Sequence, residues 1–234
     1  MGKLIISQRP IDLMVREEVG SPTEYAQLYE HPTYPGGDSG VTVGIGYDLG
    51  YNTAIQIGAD WKLKVSEDTV RTMVRVANLK GENARRALTA QVKNIRIPFD
   101  AAEAVFTEKT LPRYAAMAVR AFPGLTELAP DAAGAILSLV FNRGTRMKDS
   151  GPKETKELAR VEMRKIGAAI PLKDYKAIEA ALISMKRLWD GVPDFEGDKE
   201  QKFGGLLRRR DNEAALVRGA IRQYMNSEIR IISF

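Results

Sequence analysis

The chain has 234 residues, with 35 Lys plus Arg against 30 Asp plus Glu and a net charge of +5, a length and balance that fit a globular protein with a substantial core. It contains no Cys, which excludes disulfide staples, thiolate nucleophiles and cysteine zinc sites. A single histidine, His31, excludes a His-rich metal site, and the longest apolar run, Ala132 to Phe141, is about half of what a bilayer span needs.

The N-terminus, MGKLIISQRP, carries only a four-residue apolar stretch, so no cleavable signal peptide is legible. Charge is unevenly spread. Residues 1–60 hold 3 basic and 8 acidic side chains, whereas residues 61–234 hold 32 basic and 22 acidic. A cation-rich body points to an anionic partner such as nucleic acid, acidic lipid or a cell-wall polymer.

In chain order, Lys3 to Ile6 reads as a short strand, matched by Ile229 to Ile231 at the other end. Pro10 opens a helical pattern with Ile11, Met14, Val15 and Glu18 at i, i+3, i+4 and i+7, which Gly20-Ser21-Pro22 ends. Residues 32–40, PTYPGGDSG, are dense in turn formers. Val41 to Tyr47 then alternates with period two, as a strand does. From residue 61 onward the pattern is helical. Ser66 before Glu67 and Asp68 marks a helix start, and Asp100 with Glu103 predicts a capping box. Pro112, Pro123-Gly124 and Pro130 punctuate further helices. Ala132 to Phe141, apolar nearly all round, predicts a buried central helix stopping at Asn142-Arg143-Gly144. Helical spacing recurs through Leu158-Val161-Ile166, Ile178-Leu182-Met185-Trp189 and Leu216-Ala220-Tyr224. The fold class predicted is mainly α (α+β), as one domain with a small β-hairpin near residues 33–50. A first helix and hairpin occupy about residues 1–60 and a helical lobe about 61–234, with a cleft between them.

Two features carry chemistry. Glu18 sits on the apolar stripe of the first helix while Glu17 falls off it; a desolvated carboxyl disfavours its charged form and suits a general acid. On an extended strand, Thr42, Gly44, Gly46 and Asp48 share one face and Val41, Val43, Ile45 and Tyr47 the other. The polar face offers a hydroxyl, two positions without side chains and a carboxylate. Six residues of straight strand span roughly 20 Å, so Thr42 and Asp48 can serve one bond only if the chain bends near Gly44 or Gly46. The run Gly44 to Gly50 misses the dinucleotide fingerprint by one residue, and no Gly-Lys-Ser/Thr follows to make a phosphate loop.

Glu18, the turn-rich loop and Gly40-Val41-Thr42-Val43-Gly44-Ile45-Gly46-Tyr47 together resemble the phage-type lysozymes. The version from Tyr34 through Asp48-Leu49-Gly50-Tyr51 is closest to the pesticin-like muramidase branch, in which the catalytic Asp follows the strand Thr by six positions. Downstream, Leu139 to Gly144 is similar to that family's central helix and its end. Arg187-Leu188-Trp189 and Gly205-Leu206-Leu207-Arg208-Arg209-Arg210-Asp211-Asn212-Glu213 resemble its R-x-W and G-L-x-x-R-R-x-x-E segments. The resemblance implies a two-lobed lysozyme-like fold and cleavage of the β-1,4 bond between N-acetylmuramic acid and N-acetylglucosamine in peptidoglycan. It implies Glu18 as acid, Asp48 as the ionised partner and Thr42 as the residue that positions water, with no metal or cofactor. Asp38, four residues before Thr42, rivals Asp48 as the second carboxylate. Gly44 and Gly46 would let substrate approach the backbone. Asn142 and Arg143 would hold sugar amides or the lactyl carboxylate, or else serve as a helix cap and a surface ion pair. Carboxyl separation decides stereochemistry, roughly 6.5–9.5 Å for inversion and about 5–5.5 Å for retention, and the resemblance implies inversion.

Other residues read as structural. Arg208-Arg209-Arg210 suggests a solvated face with an ion pair to Glu213, and Trp61 and Trp189 suggest core. The loop from Gly20 to Gly40 is longer than in the minimal phage enzymes, and its Glu24, Tyr25 and Glu30 either shape the cleft or do nothing catalytic; His31 has no evident partner. A lytic transglycosylase, which needs one Glu and no Asp, is the nearest rival. A basic nucleic-acid-binding protein is the rival from another class, although no helix-turn-helix or RNP-like motif supports it. A catalytically dead wall-binding module fits poorly with the joint presence of Glu18, Thr42 and Asp48. The partner expected is peptidoglycan, without nucleic acid or stable membrane insertion, for a monomer made in the bacterial cytoplasm. Such a protein would act in the periplasm or cell wall as a phage endolysin, tail lysozyme or secreted effector, after holin-type release or specialised secretion.

Overall fold

A computed structural model describes residues 2–149, 160–190, 204–223 and 229–234, the side chains of residues 221–223 excepted. The chain opens with β1 (Lys3–Ser7), which runs directly into α1 (Gln8–Val19). Gly20 turns the chain at φ +71°, and α2 (Pro22–Leu28) follows. Gly20-Ser21-Pro22 therefore both ends one helix and starts another. Ser21 accepts a hydrogen bond from the Glu24 N–H while Glu24 returns one to the Ser21 N–H, a capping box with Pro22 at the first turn.

The hairpin expected near residues 33–50 is present, and the strand read over Val41 to Tyr47 is bent at its glycines to form it. Thr42–Val43 (β2) and Tyr47–Asp48 (β3) pair antiparallel, Thr42 opposite Asp48 and Val43 opposite Tyr47. Residues 44–46 make the turn, with φ +58° at Gly44 and +64° at Gly46. These left-handed values cost a residue bearing a Cβ roughly 1–2 kcal/mol, so the two glycines permit the bend that the separation of Thr42 and Asp48 demanded. Val41, Val43, Ile45 and Tyr47 are all buried, so the apolar alternation survives although the strand is folded.

Helices then succeed one another as α3 (Ala54–Trp61), α4 (Glu67–Arg75), α5 (Gly81–Ala87), α6 (Ala90–Lys93), α7 (Phe99–Val105), α8 (Leu111–Ala121), α9 (Pro130–Arg143), α10 (Val161–Ala169), α11 (Tyr175–Ser184) and α12 (Gly204–Gln223), and β4 (Ile229–Ser233) closes the series. Ser66 caps α4 through the Thr69 N–H, as its sequence predicts. Asp100 does not cap α7. Pro98 is the N-cap, and Asp100 accepts from the adjacent Ala101 N–H inside the first turn. The expected central helix is α9, in which every residue from Pro130 to Val140 is buried. Leu158 and Tyr224 of the predicted helical patterns lie outside the described residues.

The chain divides into two compact units. One comprises Met1–Glu17 and Pro112–Phe234, the other Glu18–Leu111. In the discontinuous unit β1 and β4 pair antiparallel from Lys3↔Ser233 to Ser7↔Ile229, so the two terminal strands read from sequence form one sheet. That sheet and α12 both pack on α9. In the continuous unit the hairpin packs on Trp61 and Ala102, and Ile57, Trp61, Met73 and Phe106 are among the unit's buried large side chains. Fully burying each such large apolar side chain stabilises by roughly 1.5–3 kcal/mol. Among the described residues no helix is long and apolar enough to cross a membrane.

Candidate functional site

The continuous unit contains a pocket of about 160 Å³ lined by Glu18, Val19, Tyr29, Thr33, Pro35, Thr42, Gly44 and Gly46. Each element contributes for a local reason. Glu18 occupies the last turn of α1 and is half-buried. Thr42 is the first residue of β2, and its N–H and C=O both bond to Thr33, with Thr42 N–H to Thr33 O at 2.8 Å and Thr33 N–H to Thr42 O at 3.0 Å. Since both backbone groups of Thr42 serve Thr33, Thr42 and Asp48 form the non-hydrogen-bonded pair of the hairpin, the kind whose side chains lie closer. Thr33, Thr42 and Asp48 thus form one cross-strand row.

Asp48 belongs to this row, but its carboxylate is turned to backbone donors. The Gly40 N–H lies 3.0 Å from both Oδ1 and Oδ2, and the Gly50 N–H donates to Oδ1 at 2.7 Å. Its own carbonyl accepts from Asn52 Nδ2 at 2.7 Å. A Cβ at Gly40 would collide with Asp48 Oδ1 and the Gly50 backbone, so glycine is required for this close approach. Asp48 does not line the pocket. Nor does Asp38, which is exposed and whose backbone carbonyl accepts from Tyr51 OH at 3.3 Å. The structure therefore brings Glu18, Thr42, Gly44 and Gly46 around one cavity and leaves both candidate second carboxylates outside its lining.

Tyr29, Thr33 and Pro35 were not singled out by sequence. They come from the loop after α2, and the residues of the Gly20 to Gly40 segment that did draw notice have structural work. Tyr25 is buried and donates its OH to Ile97 O at 2.8 Å. Glu24 completes the capping box, and Glu30 pairs with Arg96 at 2.7 Å. His31 also has a partner, since its Nδ1 donates to Ile95 O at 2.9 Å. The bridging of Thr33 to Thr42 has no local sequence signature, because it depends on where a loop folds back.

Asn142 and Arg143 lie in the other unit, at the end of α9, before Gly144 at φ +69°. The Arg143 guanidinium lies 4.9 Å from the centre of the Trp189 ring, within cation–π range. Trp189 is half-buried, not a full core residue as predicted. Burial and the neighbouring Arg160, Arg210 and Arg187 pull Arg143 down to about 10, with Glu162 opposing. Arg187 grips Glu162 with two bonds, 2.7 and 2.9 Å. The arginine triplet is also not a solvated face. Arg208 is exposed, but Arg209 and Arg210 are 3% and 0% exposed, beside Glu213 at 0%. Arg210 Nη2 lies 2.7 Å from Glu213 Oε1, which also accepts from Ser138 Oγ at 2.7 Å. The Glu17 side chain is 4% exposed, with Asn212 Nδ2 donating to its Oε1 at 3.1 Å.

Among the described residues no group of three or more His, Cys, Asp or Glu side chains is gathered as a metal site would require. Residues 18–120, less than half of the chain, match a family described as a domain of unknown function (DUF8812). That match begins at Glu18 and covers the whole continuous unit, the unit that holds the pocket. No curated protein matches the chain.

Proposed function

We propose that this protein is a muramidase of lysozyme-like fold, a glycoside hydrolase that cuts the β-1,4 bond from N-acetylmuramic acid to N-acetylglucosamine in peptidoglycan. The observation that carries this reading is the joint lining of one small pocket by Glu18, Thr42 and the side-chain-free Gly44 and Gly46. Glu18 in its protonated form donates to the leaving glycosidic oxygen as the C–O bond breaks. Water held by Thr42 bonds to the anomeric carbon, and its proton passes to a carboxylate. Asp48, the cross-strand partner of Thr42, is the carboxylate assigned to that role and to balancing the positive charge of the oxocarbenium-like transition state, which requires its side chain to turn from the Gly40 and Gly50 N–H groups toward the pocket. The chain acts on the cell wall as a monomer, without nucleic acid, metal or cofactor, after release or secretion from a bacterial cytoplasm.

One observation favours a second reading, a lytic transglycosylase on the same bond. The pocket lining carries a single carboxylate, Glu18. In that reaction the C6 hydroxyl of the muramyl ring attacks in place of water, and Glu18 first donates and then recovers a proton, leaving a 1,6-anhydro end.

The deciding experiment is turbidity clearing of permeabilised Gram-negative cells together with analysis of the released fragments. Glu18→Gln should lose at least about a hundredfold of the rate, the lower range for a general acid, with an unchanged circular dichroism spectrum. Full clearing by that variant would end the assignment. Asp48→Asn should also lose activity while Asp38→Asn retains it, and the reverse would transfer the second-acid role to Asp38. Anhydro ends in the wild-type products would select the transglycosylase.

A further inference from the structure

The pocket lining holds three hydroxyl side chains, Tyr29, Thr33 and Thr42, and the mechanism above uses only Thr42. Among the described residues, none of these three hydroxyls has a hydrogen-bond partner in the protein. The contrast within the same unit is sharp. Tyr25, Tyr34, Tyr47 and Tyr51 donate to Ile97 O, Gly37 O, Asp60 Oδ2 and Asp38 O respectively. Tyr29 is the tyrosine of this unit that faces a concavity with its donor and acceptor both unused.

Thr33 is held rigidly. Its two backbone bonds to Thr42 fix its place, and its β-branched side chain has few rotamers. Side chains of directly opposed residues stand about 4.5–5.5 Å apart at Cβ, a spacing that substituents of one sugar ring can bridge. The volume, ≈ 160 Å³, equals about five waters, the scale of one ring and not of a chain. A pyranose presents hydroxyls that each donate and accept around its rim, and a flatter apolar face that suits an aromatic ring.

We propose that Tyr29 and Thr33 are substrate-recognition residues which bind the hydroxyl and acetamido groups of a single 2-acetamido pyranose beside Glu18 and Thr42. This rests on the glycosidase reading for the identity of the sugar but assigns the two residues to binding, not to bond cleavage. The ligand used in the test is tri-N-acetylchitotriose, titrated calorimetrically into Glu18→Gln protein, with parallel kinetics of the Glu18-containing variants on soluble peptidoglycan fragments. Adding Thr33→Val, which keeps the β-branched shape and the backbone bridge, should weaken binding about fivefold to tenfold, the loss expected for one hydrogen bond. Tyr29→Phe should act similarly, and Thr33→Ser should recover affinity to within about twofold of the parent. On fragments the loss should fall on KM, leaving kcat nearly unchanged. Unaltered affinity in both Thr33→Val and Tyr29→Phe would overturn the proposal, as would failure of the parent to bind the trisaccharide. A wild type that binds but cleaves nothing would remove the hydrolase reading and leave the recognition set. Cleavage unaffected by either substitution would do the opposite.

Discussion

Gly44 occupies a position where conformation and space both exclude a side chain. Its φ is +58°, and a Cβ there would stand 3.1 Å from Ala102 Cβ and from Trp61 Cη2, both backed by core. Gly44→Ala is therefore expected to destabilise the continuous unit by about 1–3 kcal/mol, read as a lower urea midpoint with an unchanged m-value. Sequence made Gly44, Gly46, Glu18 and Thr42 visible because each carries its own signal: an amphipathic stripe, a period-two run, glycines inside a strand pattern. Asp48 was equally visible as a carboxylate. Its aim was not, since the Gly40 and Gly50 N–H groups that turn it are backbone atoms every residue but proline possesses. Tyr29 and Thr33 escaped notice for a related reason, as their meeting with the pocket depends on a loop without periodicity.

At the scale of elements, helices were legible from apolar spacing, and the buried α9 most clearly so. The errors have a common source, which is that a pattern states periodicity without stating partners. In α12, three consecutive arginines read as a solvated face, yet two of them turn inward, to Glu213 of the same helix and to Ser138 of α9. Burial raises the Glu213 carboxyl above its usual range while Arg210 and Arg209 pull it back. Arg210 in turn is lowered by its own burial, with Glu213 opposing. Glu213→Ala should thus cost about 3–5 kcal/mol by leaving Arg210 buried without its counter-charge. Ser138→Ala, which removes a neutral hydroxyl that donates to Glu213 and accepts from Arg209, should cost about 1–3 kcal/mol. Denaturant melts of the two variants check the order, and an equal loss in both would contradict the ion-pair account.

Across the whole molecule, the charge imbalance follows the compact units. Residues 18–111 carry 10 basic and 12 acidic side chains, and the rest of the chain carries 25 basic and 18 acidic. The pocket therefore belongs to a unit of slight negative charge, while the excess of cations lies in the discontinuous unit. If those cations attract an anionic wall, raising ionic strength shortens the Debye length to about 10 Å at 0.1 M and about 3 Å at 1 M. Clearing of whole sacculi should then fall severalfold between low and high salt, whereas cleavage of small soluble fragments should change little. Equal salt dependence for both substrates would count against charge-guided approach to the wall.

The pairing of β1 with β4 also dictates the order in which the chain can acquire structure during synthesis. Residues 18–111 are one uninterrupted stretch and have every contact of their unit once Leu111 has left the ribosome. The other unit begins first and finishes last. At 5–20 residues per second, β1 precedes β4 by roughly 10–45 s. During that interval Leu4 and Ile6, buried in the finished protein, lack the strand that completes their sheet. The N-terminal seventeen residues are thus a nascent segment with an open edge, the kind that holdase chaperones shield.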